Sequence, residues 1–395
     1  VKIAVVTGDD VAGDGPAQLC SALATRGHDV TCHVRQQRRP RAQRSGEPNF
    51  RVVATRVGPP PGGTAADVLP FVGDWAAILQ RRWSHDRPDI VHAHGWLGGL
   101  AAQLAARRQS WPTVQTFQCL AAARTSSADR SDDSARQRIE PLLARHADWV
   151  TVESTADLEA LTRSLHSRSR MSVISGGVDG DRYTPVGRAD DHSAAVPGLL
   201  RVLCIAQNPL WVNGIDTVIA ALSRVASTEL VIAESGPDSC RGDRARAKLE
   251  RFGAKLGVDQ RIRFLGAVTD DDMPALLRSC DVLLCTPQRP PTAASVLQAM
   301  ASGLAIVGPA IGVLDDLVVH DVTGLLAAGD DPRDLASALR ILAAERFRCS
   351  GMGAAGRNRA LSRYTWDRIA LDSLAIYEKL SSERVVGEAM EEVTR

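Results

Sequence analysis

Residues 281–300 read DVLLCTPQRPPTAASVLQAM: an apolar run, a turn rich in proline, and a helical pattern. The run 282–285 has strand character. Residues 286–292 hold three prolines, and from 293 onward Val296, Leu297 and Met300 recur at helical spacing. A strand that turns directly into a helix leaves the first helical amides without intrahelical partners, so Thr292, Ala293, Ala294 and Ser295 face any ligand, phosphate above all. After Asp281 the stretch has no carboxylate, and Arg289 is its only cation. It therefore brings no obvious acid or base of its own.

The same rhythm extends outward in both directions. Upstream, strands are expected over 1–7, 29–34, 51–57, 89–94, 113–117, 149–153 and 171–174, with helices near 15–26, 69–83 and up to 107. A second series opens at Leu200, with strands over 200–206, 229–233, 261–265, 282–285, 305–308 and 324–326 and amphipathic segments between them. Short β-branched runs alternating with helical patterns specify parallel sheets with crossover helices. The fold class is thus α/β, with two Rossmann-like domains. The expected organisation is a domain over 1–182, a linker over 183–199 carrying prolines and small residues, and a domain over 200–362. A helix within 363–382, apolar at Ile369, Leu374, Ile376, Tyr377 and Leu380, is expected to cross back onto the first domain, with 383–395 as a frayed tail.

Composition narrows the function. With 395 residues, 44% hydrophobic and 24% charged, the chain suits two globular cores. A formal net charge of +1 excludes nucleic acid as the main partner and leaves at most peripheral membrane contact. The basic residues between Arg35 and Arg51 read as a solvated loop. Eight cysteines without a C-x-x-C spacing read as reduced core thiols of a cytoplasmic protein. Neither a signal peptide nor a membrane span is expected, since no basic leader precedes the first strand and no run of about eighteen apolar residues occurs.

Ligands of open α/β sheets bind beyond the carboxyl ends of the strands, so the segments after each strand hold the candidates. Gly13 and Gly15 follow the first strand, but Gln18 replaces the third glycine of a dinucleotide fingerprint and no acidic residue closes the second strand. His92 and His94 share one strand face. No third ligand lies near in sequence, so no metal is expected. His94, at the strand end, can reach a substrate, whereas His92 reads as a packed residue. The segment from Gln207 to Gly214 offers Asn208 and Asn213. These are either ligand amides or a turn with an Asn cap.

The segments DIVHAHGWLGGLAAQLAARR, TVQTF, SGGVDGDRYTP, NGIDTVIAAL, ELVIAESG, IRFLGAVTDDDMPALLRSCDVLLCTP, LQAMASGLAIVGPAIGVLDDLVVHDVTGLLAAGDDPRDLASAL and RYTWDRIALDSLAIYEKL occur in an order that resembles the group 1 family of retaining, metal-independent GT-B glycosyltransferases. The resemblance covers nearly the whole chain. It implies an acceptor on the first domain, a nucleotide-sugar donor held mainly by the second, and transfer between them with retention of anomeric configuration. No cofactor is implied beyond the nucleotide-sugar substrate. His94 falls at the family's acceptor-side histidine, and Gly13 and Gly15 fall in its glycine-rich first loop. Gln118 stands where many relatives carry a second histidine.

At the donor site the family's paired glutamates fall on Pro290 and Gln298, and its Arg and Lys on Asn208 and Asn213. Negative charge that grows on a departing diphosphate must be met by fixed cations and amides when no metal helps, and each lost donor costs about a hundred- to a thousandfold. Arg289, beside Pro290, is the one nearby cation that could substitute. The expectation is a glycosyltransferase with a degenerate donor site: phosphate over the helix start at Thr292, ribose at Gln298, diphosphate near Asn208 and Asn213. The alternative is a catalytically silent homologue that binds or regulates an active partner.

Overall fold

The computed structural model describes the chain except residues 9, 12, 36–48, 61–63, 119, 121–129, 190–197, 208–212, 236–239, 287, 289–290, 328–330 and 395. Its described residues divide into two compact units. One holds the chain up to Gly177 together with the helix from Trp366, and the other runs from Val178 to Thr365.

The first unit carries seven strands: β1 (Lys2–Thr7), β2 (Asp29–Arg35), β3 (Arg51–Thr55), β4 (Ile90–His94), β5 (Thr113–Phe117), β6 (Trp149–Val152) and β7 (Met171–Val173). They form one parallel sheet in the order β3-β2-β1-β4-β5-β6-β7. Its helices are α1 (Gly15–Thr25), α2 (Ala65–Val68), α3 (Val72–His85), α4 (Trp96–Ala106), α5 (Arg130–His146) and α6 (Thr155–Leu165). Strand alternation sorts the side chains into two layers. Ala4, Val6, Val91 and Ala93 pack with Trp75, Leu79 and Trp83 on one face. Ile3, Val5 and Ile90 pack with Leu19, Leu23, Ile369 and Tyr377 on the other.

The second unit repeats the design with β8 (Leu200–Gln207), β9 (Thr228–Ser235), β10 (Ile262–Ala267), β11 (Val282–Leu284), β12 (Ala305–Pro309) and β13 (Gly324–Ala327). The order is β10-β9-β8-β11-β12-β13, again all parallel. Its helices are α7 (Ile215–Leu222), α8 (Cys240–Lys255), α9 (Met273–Arg278), α10 (Ala293–Ala301), α11 (Val313–Leu317), α12 (Pro332–Ala344) and α13 (Arg346–Arg363). Both sheets therefore have a reversal of strand order, at β1/β4 and at β8/β11.

Several boundaries differ from the sequence-based expectation. The units part at Gly177 and Val178 rather than within 183–199, because Val178 and Tyr183 are buried in the core of the second unit. The helix expected over 69–83 begins as α2, passes through a 3₁₀ turn at Leu69–Phe71 and continues as α3, since Pro70 interrupts it. Helix α13 had no clear sequence signal, because its buried face is mostly small, with Gly353, Gly356 and Ala360 beside Cys349 and Met352. A Cβ on Gly353 would lie 1.9 Å from the Gly303 carbonyl oxygen, which shows how closely the helix approaches the chain before β12. The last helix, α14 (Trp366–Thr394), belongs to the first unit, packs on α1, and continues past residue 382.

Cys20, Cys32, Cys204, Cys280, Cys285 and Cys349 are free thiols. Among the described residues no helix is long and apolar enough to cross a membrane, and no cluster of three metal-ligating side chains occurs.

Candidate functional site

In doubly wound sheets a crevice forms beyond the carboxyl ends of the strands where the order reverses. In the first unit that point lies after β1 and β4. His92 and His94 project from the same face of β4, with ring centroids 4.4 Å apart. Their environments differ. His92 is fully engaged: one ring nitrogen lies 2.5 Å from the Tyr377 hydroxyl and the other 2.6 Å from Thr116 Oγ1, which in turn lies 2.5 Å from Thr151 Oγ1. His94 is only 6% exposed, yet neither of its ring nitrogens has a partner among the described residues. Burial pushes the His94 imidazole down to about 4 and that of His92 well below its ordinary value, so both are neutral at pH 7. A neutral, unpartnered imidazole at a strand end offers one donor and one acceptor to a bound hydroxyl.

Below the histidines the carboxyl ends are braced by Gln115, fully buried, whose Nε2 donates to the carbonyls of Gly95 (2.8 Å) and Thr116 (3.1 Å). Gln118 is half-buried, and its carbonyl accepts from Arg136 (3.0 Å). Gly13 and Gly15 lie in the β1–α1 turn. Gly13 has φ +78° in the left-handed region that glycine tolerates, and a Cβ on Gly15 would sit 3.3 Å from the Trp366 ring. Asp10, in the same turn, accepts hydrogen bonds from the Trp96 and Leu97 amides at 2.7 and 3.2 Å. This contact joins residues 86 and 87 apart, beyond the reach of local capping patterns, and the aspartates after β1 are its only trace in the sequence.

In the second unit the reversal lies after β8 and β11. Strand β11 leads through Cys285 and Thr286, both buried, to Thr292 and α10. Thr292 is the N-cap: its Oγ1 accepts from the Ser295 amide at 3.3 Å, while Ser295 Oγ donates to the Thr292 carbonyl at 2.9 Å. Ala293 is buried, Ala294 exposed and Ser295 half-buried, so the first turn of α10 presents one side outward. Gln298 is half-buried one turn on and has no side-chain hydrogen bond among the described residues. Asn213 is 2% exposed and precedes Gly214, whose φ of +73° starts α7. Asn208, Arg289 and Pro290 lie outside the described residues. None of the described residues in 213–214, 285–292 and 308–312 is a lysine or arginine.

Two doubly wound parallel domains, each with its own switch-point turn, define the GT-B class of protein. Residues 13–177 match the family model described as a glycosyl transferase 4-like domain, and residues 200–345 match the one described as glycosyl transferases group 1. The chain belongs to this glycosyltransferase family. A D-inositol 3-phosphate glycosyltransferase of Geodermatophilus obscurus is 29% identical over 329 residues, 78% of this chain and 70% of that one. The enzyme of the same name from Xylanimonas cellulosilytica is 26% identical over 382 residues, 93% of this chain and 91% of the other. Among solved structures, sucrose-phosphate synthase from Thermosynechococcus elongatus superposes with a TM-score of 0.81 at 22% identity, covering 97% of this chain and 100% of that one. The Anabaena protein HepE, solved with UDP-glucose, gives 0.69 at 18%, covering 97% and 100%.

Proposed function

We propose that the protein transfers a sugar from a nucleotide-sugar donor, without a metal and with retention of configuration, at a rate limited by a donor site that lacks the family's charges. The second unit holds the donor, with its phosphate over the first turn of α10 and its ribose at Gln298. The diphosphate lies toward Asn208 and Asn213, with Arg289 the nearby cation. The acceptor lies on the first unit beside His94.

The observation that carries this reading is the start of α10, where a strand at the switch point runs into a capped helix whose first turn faces outward and whose neighbouring described residues carry no cation. Oriented amides hold a phosphate there, and the uncharged Asn213 and Gln298 supply hydrogen bonds but little stabilisation of a leaving diphosphate. The two missing cations correspond to a loss on the order of ten thousand- to a millionfold if their effects multiply, and less if they do not.

The test is calorimetric titration of the chain with UDP, GDP and ADP, followed by a turnover assay with the corresponding nucleotide-glucoses. Binding with slow product formation supports the reading. Binding without any product assigns the chain instead to a silent, partner-binding role, which the uncharged Asn208, Asn213, Pro290 and Gln298 would favour. Absence of nucleotide binding overturns the placement of the donor.

A further inference from the structure

We infer that Asp10 is a built-in anion that fills the amino terminus of α4 and keeps phosphate and carboxylate groups out of the acceptor region of the first unit. The inference rests on the proposed placement of the acceptor there.

Helix α4 has no cap of its own. It starts after Gly95, which has φ +74° and no side chain, so the donors of its first turn need an acceptor from elsewhere. Asp10 provides one through Oδ2, 2.7 Å from the Trp96 amide and 3.2 Å from that of Leu97. The surrounding backbone is drawn in around the carboxylate. A Cβ on Gly95 would lie 2.4 Å from Oδ2 and 2.7 Å from Val11 Cγ2, and a Cβ on Gly8 would lie 2.5 Å from Oδ1. One on Gly98 would meet the Gly8 nitrogen at 3.1 Å. Three glycines on two segments thus form a cradle that only a side chain of this length and position occupies.

The location gives the cradle its consequence. It lies at the carboxyl ends of β1 and β4, the reversal of strand order, where a helix start is a ready site for a ligand's phosphate. Here those amides are already bonded to an anion. The cation whose field reaches Asp10 is Arg136, and it is hydrogen-bonded to the Glu140 carboxylate at 2.5 Å and to the Gln118 carbonyl at 3.0 Å. A second anion would meet the Asp10 carboxylate, and Arg136, already engaged by Glu140 and Gln118, offsets it only in part. An uncharged hydroxyl would not be repelled. Asp10 Oδ1 has no hydrogen-bond partner among the described residues, and a carboxylate oxygen can only accept. His94, at the carboxyl end of β4 and with neither ring nitrogen partnered among the described residues, offers neutral donor and acceptor atoms. The acceptor group at this position is therefore uncharged and hydroxyl-bearing.

The test uses the full chain labelled with 15N-tryptophan and 15N-leucine, with the Trp96 resonance assigned from the Trp96→Phe variant, titrated with inorganic phosphate at constant ionic strength. In the unaltered protein the Trp96 and Leu97 amides are expected to stay still up to about 100 mM phosphate. In Asp10→Ala they are expected to shift saturably, with half-saturation on the order of tens of millimolar, as befits a bare helix terminus. Saturable shifts in the unaltered protein would overturn the inference, because the carboxylate would then yield to phosphate. A well-dispersed Asp10→Ala spectrum with unmoved amides would overturn it equally. If Asp10→Ala does not fold, Asp10→Ser, whose hydroxyl still caps one amide, takes its place. Neither nucleotide nor turnover enters the measurement, so its failure is separable from that of the donor assignment.

Discussion

Acidification should unfold the first unit while leaving the second folded. Burial holds the imidazoles of His33 and His94 at about 4, against an ordinary value of 6.5, and holds His92 well below it. Each folded value lies below the unfolded one, so between them the unfolded chain binds more protons than the folded chain. The stability from these groups is complete above pH 6.5 and is lost as the pH falls toward 4. For a shift from 6.5 to 4, the loss at pH 5 is about 2 kcal/mol per group. His33 and His94 together then cost about 4 kcal/mol, a large part of a domain's typical 5–15 kcal/mol. His92 adds in the same direction. Asp10, whose carboxyl burial raises, opposes them, since its folded form takes up a proton more readily than the unfolded chain. The buried histidines among the described residues, His33, His92 and His94, all lie in the first unit. Six of the chain's seven tryptophans, Trp75, Trp83, Trp96, Trp111, Trp149 and Trp366, lie in the first unit, and Trp211 falls within the range of the second, so tryptophan fluorescence reports mainly on the first. Urea unfolding followed by fluorescence at pH 8, 6.5 and 5 should show a midpoint that drops mainly between the last two, while the part of the circular-dichroism change belonging to the second unit holds its position. In His94→Asn the drop should shrink by roughly a third, since His33 and His92 still contribute. A fluorescence midpoint constant from pH 8 to 5 would refute the reasoning.

Three further outcomes follow from particular contacts. Gly353→Ala places a methyl group 1.9 Å from the Gly303 oxygen and should destabilise the second unit by about 2–3 kcal/mol, seen as a lowered calorimetric Tm. An unchanged Tm would mean that α13 can move away without cost. Glu229→Ala removes the carboxylate that pairs with Arg201 (3.4 Å) and Arg263 (3.7 Å). Because the Arg201 side chain is 4% exposed, its unpaired charge should cost about 3–5 kcal/mol in chemical unfolding, with Glu229→Gln milder. The combined variant Asn208→Arg, Asn213→Lys, Pro290→Glu and Gln298→Glu should raise nucleoside-diphosphate affinity at least about tenfold by calorimetry. A folded variant without that gain would show that the donor does not sit at these positions.

Much of this fold is legible in the sequence because parallel strands buried on both faces announce themselves. The run LRVLCIAQ at β8 is apolar enough to be read directly, and the spacing of His92 and His94 places both on one strand face. Two kinds of feature escape such reading. Helix α13 buries Met352 as its one large apolar side chain beside Cys349, Gly353, Gly356 and Ala360, which is too little to mark a helical stripe. Contacts distant in sequence, such as Asp10 on α4 and Tyr377 on His92, depend on which strands become neighbours. The position of His94 at the strand end already separates it from His92 in the sequence, but the partners of His92 are of this second kind. Tyr377 and Thr116, which engage the ring of His92, come from distant parts of the chain.

Helix α14 follows the second unit in the chain but buries Ile369, Ala370, Leu374, Tyr377 and Leu380 against β1, β2 and α1 of the first. During synthesis, therefore, the first unit waits for a segment made after the whole second unit before its sheet is covered on both faces. A nascent chain stopped anywhere between Val178 and Thr365 carries an open apolar layer where α14 belongs. The second unit, whose sheet and helices are contiguous apart from its entry segment, can be complete while the first is still unfinished. The order of maturation of the two units is then the reverse of the order of their translation, and ribosome-bound fragments lacking α14 should engage chaperones more strongly than fragments that include it.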